Sequence, residues 1–383
     1  MTSIERRELQ QRDKTGRVRT VVRYKIRYRD RAGREHSETK RRLVDAERRR
    51  AEVELELSGG TWHDPRRGEV RLSVWAAEWL QTRHDLRPTT HARLATTLAR
   101  QVLPRFGATS LLKISNGAVR AWVADMVGSG LSPATVRKAV FALRQCLAAA
   151  ISDRRLAVNP AVDVPLPAER SKPPRFLAQS QVEALAMEMP AQYVALVLVG
   201  GYGGLRWGEA VGLTRSNVDV LRSRIIVETT AIEVHGQVRL GQEPKTRRSK
   251  RSVPIARAVM RRLEQHLAEH VGPEPDALVF TARRGGPLFR STFAREAWRP
   301  AVERAGLDGF TFHGLRHSFV AILVAAGCNV REVSEWAGHN SVAFTLTRYG
   351  GLFEDGSNQA VDRLDALMQG LQAAGPVVEL RRD

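Results

Sequence analysis

Towards the C-terminal end of this 383-residue chain, His313-Gly314-Leu315-Arg316-His317 is followed by Gly338-His339 and then by Arg348-Tyr349. Imidazoles, a guanidinium and a phenol thus recur within a few helical turns. Far upstream, Arg206 stands in Gly204-Leu205-Arg206-Trp207-Gly208-Glu209, in an apolar neighbourhood. Arginine forks match phosphate oxygens, imidazole titrates near neutral pH, and a tyrosine oxygen can act as a nucleophile. Gathered in space, these groups could hold a phosphodiester and attack it without a metal.

Each piece also has a plainer reading. A buried arginine must be paired, and Arg206 could be paired either by Glu209 or by a ligand anion. The i,i+4 pair His313 and His317 suits zinc, but no Glu follows His313 as a zinc-protease helix requires. His266-Leu267-Ala268-Glu269-His270 fits the inverted zinc pattern, yet with Arg261, Arg262 and Glu264 beside it the stretch reads as a surface helix. Tyr349, between a small polar run and Gly350-Gly351, is expected near the surface and mobile. Lys245 lies in the basic run 243–251, which reads as a solvated hairpin or as a loop that delivers an ammonium group into a DNA groove.

These residues need elements to carry them. Val22, Tyr24, Ile26 and Tyr28 alternate with Arg23, Lys25 and Arg27, a period-2 strand with one apolar and one cationic side. His36–Lys40 can return beside it, and a helix from about Val44 to Leu57 should end at Gly59-Gly60. Residues 61–69, with Pro65 and Gly68, read as a linker. From Leu72 to about Ala161 the pattern is helical, with a start at Ser132-Pro133 and with Arg137, Lys138 and Arg144 off the apolar stripe. Asn159-Pro160 and Pro165–Pro174 mark the next boundary. Beyond it Ser180 is expected to cap a helix, Tyr193–Val199 to be a buried helix, and Arg224–Thr230, Val238–Leu240 and Arg251–Ile255 to be short strands. The expected domains are 1–60, a linker over 61–71, 72–165, and 166–383.

Lys and Arg outnumber Asp and Glu by 61 to 41, a formal charge of +20, and the pI is near 11.0. So large an excess favours a polyanionic partner. Arg23, Lys25, Arg27, Arg137, Lys138, Arg144, Arg247 and Arg248 are the candidate DNA-binding residues; for the first three, the plainer role is to keep a sheet edge soluble. The two cysteines, Cys146 and Cys328, suit buried thiols in a reducing cytoplasm. The N-terminus lacks a signal-peptide apolar core and the apolar runs are too short for a bilayer, so a cytoplasmic location is expected.

Taken together, the chain resembles the tyrosine recombinase (phage integrase) family. The family pattern is Arg, a hairpin Lys, His-x-x-Arg, His or Trp, and a nucleophilic Tyr. Here it is matched in order by Arg206, Lys245, His313, Arg316, His339 and Tyr349, with Lys250 as a lesser rival to Lys245. The resemblance implies an α+β multidomain protein. It would have a small three-stranded N-terminal β-sheet plus helix of arm type, an all-α SAM-like core-binding domain, and a mainly α catalytic domain with a small antiparallel sheet. It implies cleavage through a 3′-phosphotyrosine and a Holliday junction, in a homotetramer on double-stranded attachment sites. A DNA-bending or directionality factor could assist; no cofactor and no metal are called for. In that scheme Arg206 and Arg316 clamp the phosphate, His339 donates a further hydrogen bond, His313 handles the Tyr349 proton and Lys245 protonates the leaving oxygen. A helix over about 357–371 would dock on a neighbouring protomer or fold back on its own domain. The alternative is a non-catalytic DNA-binding regulator; a chromosome-dimer resolvase or a type IB topoisomerase would share the chemistry.

Overall fold

The computed structural model describes residues 2–354 except 13–17, 32, 61, 63, 170–173 and 244–249, and beyond them residues 364, 365 and 368. The chain divides into two compact units, Met1–Glu169 and Arg170–Asp383.

In the first unit, β1 (Ser3–Arg12), β2 (Val18–Arg29) and β3 (Glu35–Lys40) form one antiparallel sheet in that order. Alternation in β2 sends Ile26 and Tyr28 inward, where they pack with Ala46 and Val53 of α1 (Leu43–Ser58). The helix stops at Gly59 and Gly60, the second with φ of +71°. The segment expected as a linker is packed where it is described. Trp62 stands edge-on to Tyr28, 5.6 Å between ring centroids, and Asp64 caps a short 3-10 turn over Pro65–Glu69.

The same unit continues through α2 (Leu72–Thr82), α3 (Pro88–Thr97), α4 (Leu103–Phe106), α5 (Asn116–Gly128) and α6 (Pro133–Ser152). Trp75 and Trp79 of α2, Trp122 of α5, and Val136, Val140, Leu143 and Leu147 of α6 make its core. The Trp75 indole donates to the Cys146 carbonyl at 2.9 Å, so its one polar atom is satisfied inside that core. Ser132 caps α6 as expected, its hydroxyl accepting from the Thr135 amide at 3.3 Å.

The second unit begins with α7 (Gln179–Met187), α8 (Ala191–Gly203) and α9 (Trp207–Val211). Ser180 is not the cap of α7. Ala178 occupies that position, and its amide is satisfied by the Gln181 side chain at 3.0 Å. The strands β4 (Val218–Asp219), β5 (Arg224–Val227) and β8 (Arg251–Pro254) form one antiparallel sheet, and β6 (Thr230–Val234) with β7 (Gln237–Gln242) forms a separate hairpin. The single strand expected over 224–230 is therefore divided. Its inward residues run Ile225, Val227, Ala231, Val234, a spacing one straight strand cannot offer, and a bulge falls at Thr230–Ile232.

The remaining helices are α10 (Arg257–His270), α11 (Arg290–Phe293), α12 (Arg299–Arg304), α13 (Phe312–Ala325), α14 (Val330–Ala337) and α15 (Val342–Glu354). One apolar cluster, from Leu177 to Tyr349, joins α8, α13, β5, β8 and α15. Of the expected tail helix only Leu364, Asp365 and Met368 are described, helical and exposed; the rest lies outside the described residues. No described helix is long and apolar enough to cross a membrane.

Candidate active site

The apolar helix α8 ends at Gly204, whose φ of +61° and ψ of +24° turn the chain left-handed. Only glycine fits there, because a Cβ would lie 2.2 Å from the Phe319 ring of α13. The turn delivers Arg206 to the start of α9. Glu209, one turn on, accepts from the Arg206 amide at 2.9 Å and from its Nη1 at 2.7 Å. Arg206 Nη2 donates to the Gly338 carbonyl at 2.7 Å. Glu209 therefore pairs Arg206, as the plainer reading expected, and the guanidinium remains 37% exposed.

Arg251, the first residue of β8, donates to both Glu209 oxygens at 3.1 and 2.9 Å and to the Trp336 carbonyl at 2.8 Å. Burial pushes the Glu209 carboxyl up, but Arg251 and then Arg206 outweigh it and hold the group down at about 2. Glu209 is thus a fixed anion gripping two cations.

Arg316 is 3% exposed and sits on the first turns of α13. Its Nη1 donates to the Gly204 carbonyl at 2.8 Å, while its Nη2 has no partner among the described residues. Burial, then the charges of Arg206 and Arg251, depress its pKa to about 9, against the opposing pull of Glu209 and Tyr349. The guanidinium remains charged at neutral pH, so a buried cation with a free N–H donor stands close to two others. An anion placed there would relieve all three.

Tyr349 is the main departure from expectation. It lies within α15, is 4% exposed, and belongs to the core cluster rather than to a mobile surface segment. The packing of α15 on α13 and α14 swallows a residue whose sequence neighbours are small and polar. The Tyr349 hydroxyl is 2.6 Å from His317 Nδ1. On its other side the His339 ring lies nearly parallel, 5.8 Å between centroids and 9° between planes. Burial raises the phenol pKa, with Arg316 and Arg348 pulling the other way.

His339 follows Gly338, a left-handed residue (φ +62°) that closes α14. The reversal buries His339 and brings its Nδ1 to 2.8 Å from the Thr345 hydroxyl. Burial, then Arg316, Arg206, Arg251 and His317, depress its pKa to about 3. His317 is depressed to about 4 by burial, then by His313, Arg348 and Arg316. His313 is lowered too, by burial first, but its residue is exposed. It meets His317 edge-on, with ring centroids 5.0 Å apart.

Five of the six sequence-derived site residues thus lie in one unit: Arg206, His313, Arg316, His339 and Tyr349. The sixth, Lys245, falls outside the described residues, as do Arg247 and Arg248. Lys250 is exposed just before β8. Of the other basic candidates, Arg23 and Lys25 lie half-buried on β2, while Arg27 is held by Glu5 at 3.0 Å. Arg137 and Lys138 are exposed on α6, Arg137 donating to the Pro167 carbonyl. Arg144 is half-buried and donates to the Ala161 carbonyl at 3.1 Å, a structural tie to the turn after α6. His266 is buried, not at the surface, and its Nε2 engages the Val279 carbonyl at 2.7 Å. Cys146 is buried, whereas Cys328 is only partly so.

Three participants were missed by sequence reasoning: His317 against the phenol, Arg251 behind Glu209, and Thr345 behind His339. His317 was visible as the last residue of the His-x-x-Arg-His run. Arg251 was hidden at the end of a basic stretch, and Thr345 in a polar one.

Comparison with known proteins agrees with this geometry. Residues 175–354 match the phage integrase family. A putative prophage phiRv2 integrase of Mycobacterium tuberculosis is 26% identical over 311 residues, covering 79% of this chain and 81% of that one. Among solved structures, the Tn1549 transposon integrase in complex with a circular intermediate DNA superposes with a TM-score of 0.62 at 21% identity, covering 77% of this chain and 99% of that one. A lambda integrase dimer bound to a COC′ core site gives 0.56 at 15% identity, covering 87% and 93%. The convergence of arginines, imidazoles and a buried tyrosine on this fold agrees with the family match: residues 175–354 are a domain of the phage integrase family of tyrosine recombinases, enzymes that break and rejoin DNA.

Proposed function

We propose that this recombinase is the integrase of a prophage or other mobile element, acting on two double-stranded attachment sites as a homotetramer. One observation carries the assignment of the chemistry: the Tyr349 hydroxyl is hydrogen-bonded to His317, the residue after Arg316 on α13, and the buried Nη2 of Arg316 lacks a partner among the described residues. Nucleophile and anion cradle belong to the same chain, which favours cleavage in cis.

In this reading Arg316 and Arg206 bind the two non-bridging oxygens of the scissile phosphate. They are positioned beforehand, so they stabilise the extra charge of the pentavalent state without reorganising. A neutral His339 donates from Nε2 to the same oxygens. Tyr349 attacks phosphorus and the 5′-oxygen leaves, protonated by Lys245. The 3′-phosphotyrosine keeps the bond energy, so rejoining needs no ATP. Two rounds of exchange pass through a Holliday junction. The β1–β2–β3 sheet with α1 serves as an arm-type DNA-binding domain, and α2–α6 as a core-binding domain, with the exposed Arg137 and Lys138 on its DNA side. A directionality or bending factor, and a cytoplasmic, nucleoid-associated location, complete the proposal.

A nicked suicide substrate tests it. The wild-type protein should trap a covalent adduct through its 3′-phosphate, and Tyr349→Phe should bind the same DNA and trap none. A non-catalytic regulator would bind and yield no adduct in either form.

A further inference from the structure

Three polar side chains of α13 bear on the site, and they are not equivalent. Arg316 is buried and holds the Gly204 carbonyl. His317 points at α15 and meets the Tyr349 hydroxyl at 2.6 Å, with the two ring centroids 5.8 Å apart. His313, exposed at the start of the helix, has a ring contact with His317 and no hydrogen bond to Tyr349 among the described residues.

The direction of the His317–Tyr349 bond follows from the donors available. If Nδ1–H donated to the phenol oxygen, the phenolic proton would itself need an acceptor, and none is recorded among the described residues. A neutral imidazole is also what the surroundings enforce. His317 faces His313 and Arg316 on its own helix, Arg348 and Tyr349 on α15, and His339 beyond α14, and none of these is an anion at neutral pH. The hydroxyl therefore donates to Nδ1, and the His317 proton resides on Nε2.

We infer that His317, rather than His313, takes the Tyr349 proton during strand cleavage and returns it during rejoining, with His313 as the outlet towards solvent. The step balances. The bond from the Tyr349 oxygen to phosphorus forms as the bond from phosphorus to the 5′-oxygen breaks. The phenolic proton moves to His317 Nδ1, and the leaving oxygen takes a separate proton from the general acid assigned above to Lys245. In rejoining, the 5′-hydroxyl attacks phosphorus and returns its proton to Lys245, the bond from phosphorus to the Tyr349 oxygen breaks, and His317 hands its proton back to the phenolate. An imidazole disfavoured as a cation in the free protein becomes a competent base when the phosphate is bound, because the developing negative charge favours imidazolium. The inference rests on the recombinase reading, but only on its nucleophile.

The test uses the full chain and a nicked suicide substrate, reading covalent adduct against time. His317→Asn is the informative variant: its amide oxygen can accept the phenolic hydrogen bond but cannot accept the proton at working pH. His317→Ala removes both functions. Both should bind the site like wild type and form adduct on the order of 10²–10⁴-fold more slowly. Added imidazole should partly restore His317→Ala, with a pH dependence that follows the titration of free imidazole. His313→Ala should lose less and gain nothing from imidazole. A substrate with sulfur in place of the bridging 5′-oxygen needs no leaving-group proton, so it should leave the His317 defect intact.

Three results would overturn the inference. One is adduct formation by His317→Asn within a few-fold of wild type. Another is rescue of the His317 variants by the sulfur substrate. The third is imidazole rescue confined to His313→Ala. If wild type itself traps no adduct, the recombinase reading fails instead, so the two failures are separable. Should His317→Ala unfold, shown by loss of site binding, the Asn variant and the sulfur substrate still decide.

Discussion

Glu209 and Arg251 form a two-pronged ion pair sealed from water, at 3.1 and 2.9 Å with side chains only 4% and 3% exposed. Removing one partner of such a pair strands the other charge in a poorly solvated place, at a cost of about 3–5 kcal/mol. Because Arg206 still pairs Glu209, Arg251→Met should lower the unfolding free energy by roughly the low end of that range, measured by urea titration. Arg251→Lys, keeping the charge but losing the fork, should recover part of it. Both should also slow cleavage, because Arg206 and the Trp336–Gly338 backbone lean on the same carboxylate and guanidinium.

Thr345 is placed to decide which nitrogen of His339 carries the proton, its hydroxyl 2.8 Å from Nδ1. If the hydroxyl donates to Nδ1, the neutral ring must hold its hydrogen on Nε2, where it can reach a phosphate oxygen. Thr345→Val keeps the shape and loses the donor. We expect adduct formation to fall about 10–100-fold, within the range for one oriented donor, and Thr345→Ser to restore most of it. Nitrogen NMR of labelled His339 should show the Nε2–H form in wild type and a mixed population in the valine variant. An unchanged tautomer would refute the assignment.

In the proposed mechanism Arg316, costly to the free protein, is needed by the DNA-bound one. Arg316→Ala should lower the cleavage rate by at least about 10²-fold, the scale of one lost oxyanion donor. Site affinity should change little, since other basic surfaces carry it. Sulfate, as a phosphate mimic, should raise the melting temperature of wild type more than that of Arg316→Ala. Equal shifts would place the anion elsewhere.

The imidazoles make stability depend on pH in a definable window. His317 and His339 sit at about 4 and about 3 in the fold, below the ordinary 6.5 of an unfolded histidine. As pH falls, the unfolded chain takes up these protons first. Their contribution is therefore whole above 6.5 and is lost progressively as pH drops towards the folded values. Urea midpoints should decline from pH 6.5 downward, and the double variant His317→Asn, His339→Asn should flatten that decline. Phosphate in the site acts oppositely, so DNA binding at pH 6 should take up protons, detectable as buffer-dependent heat.

Much of this was readable in the chain before folding. The β2 alternation named its own inward face, because Ile26 and Tyr28 are apolar and their neighbours are cationic. The spacing of His313, Arg316, His339 and Tyr349 named a site because chemistry restricts the residue types. The burial of Tyr349 was not readable, since it depends on α15 lying against α13, a tertiary contact its polar neighbours disguise. Nor was the division of 224–230 between two sheets, where local β-preference is the same on both sides of the break. Arg251 looked like one more cation in a basic run; only the position of Glu209 distinguishes it.

Each guanidinium in the cradle is moored to main-chain oxygen: Arg206 to Gly338, Arg251 to Trp336, Arg316 to Gly204. A carbonyl is supplied by every amino acid, so such moorings persist while the surrounding side chains drift. Random mutagenesis should accordingly find residue 336 permissive towards other large apolar side chains, and residues 204 and 338 intolerant of anything but glycine. Scaffolding of this kind lets an enzyme diversify its surface for new DNA addresses without disturbing the place where the strand is cut.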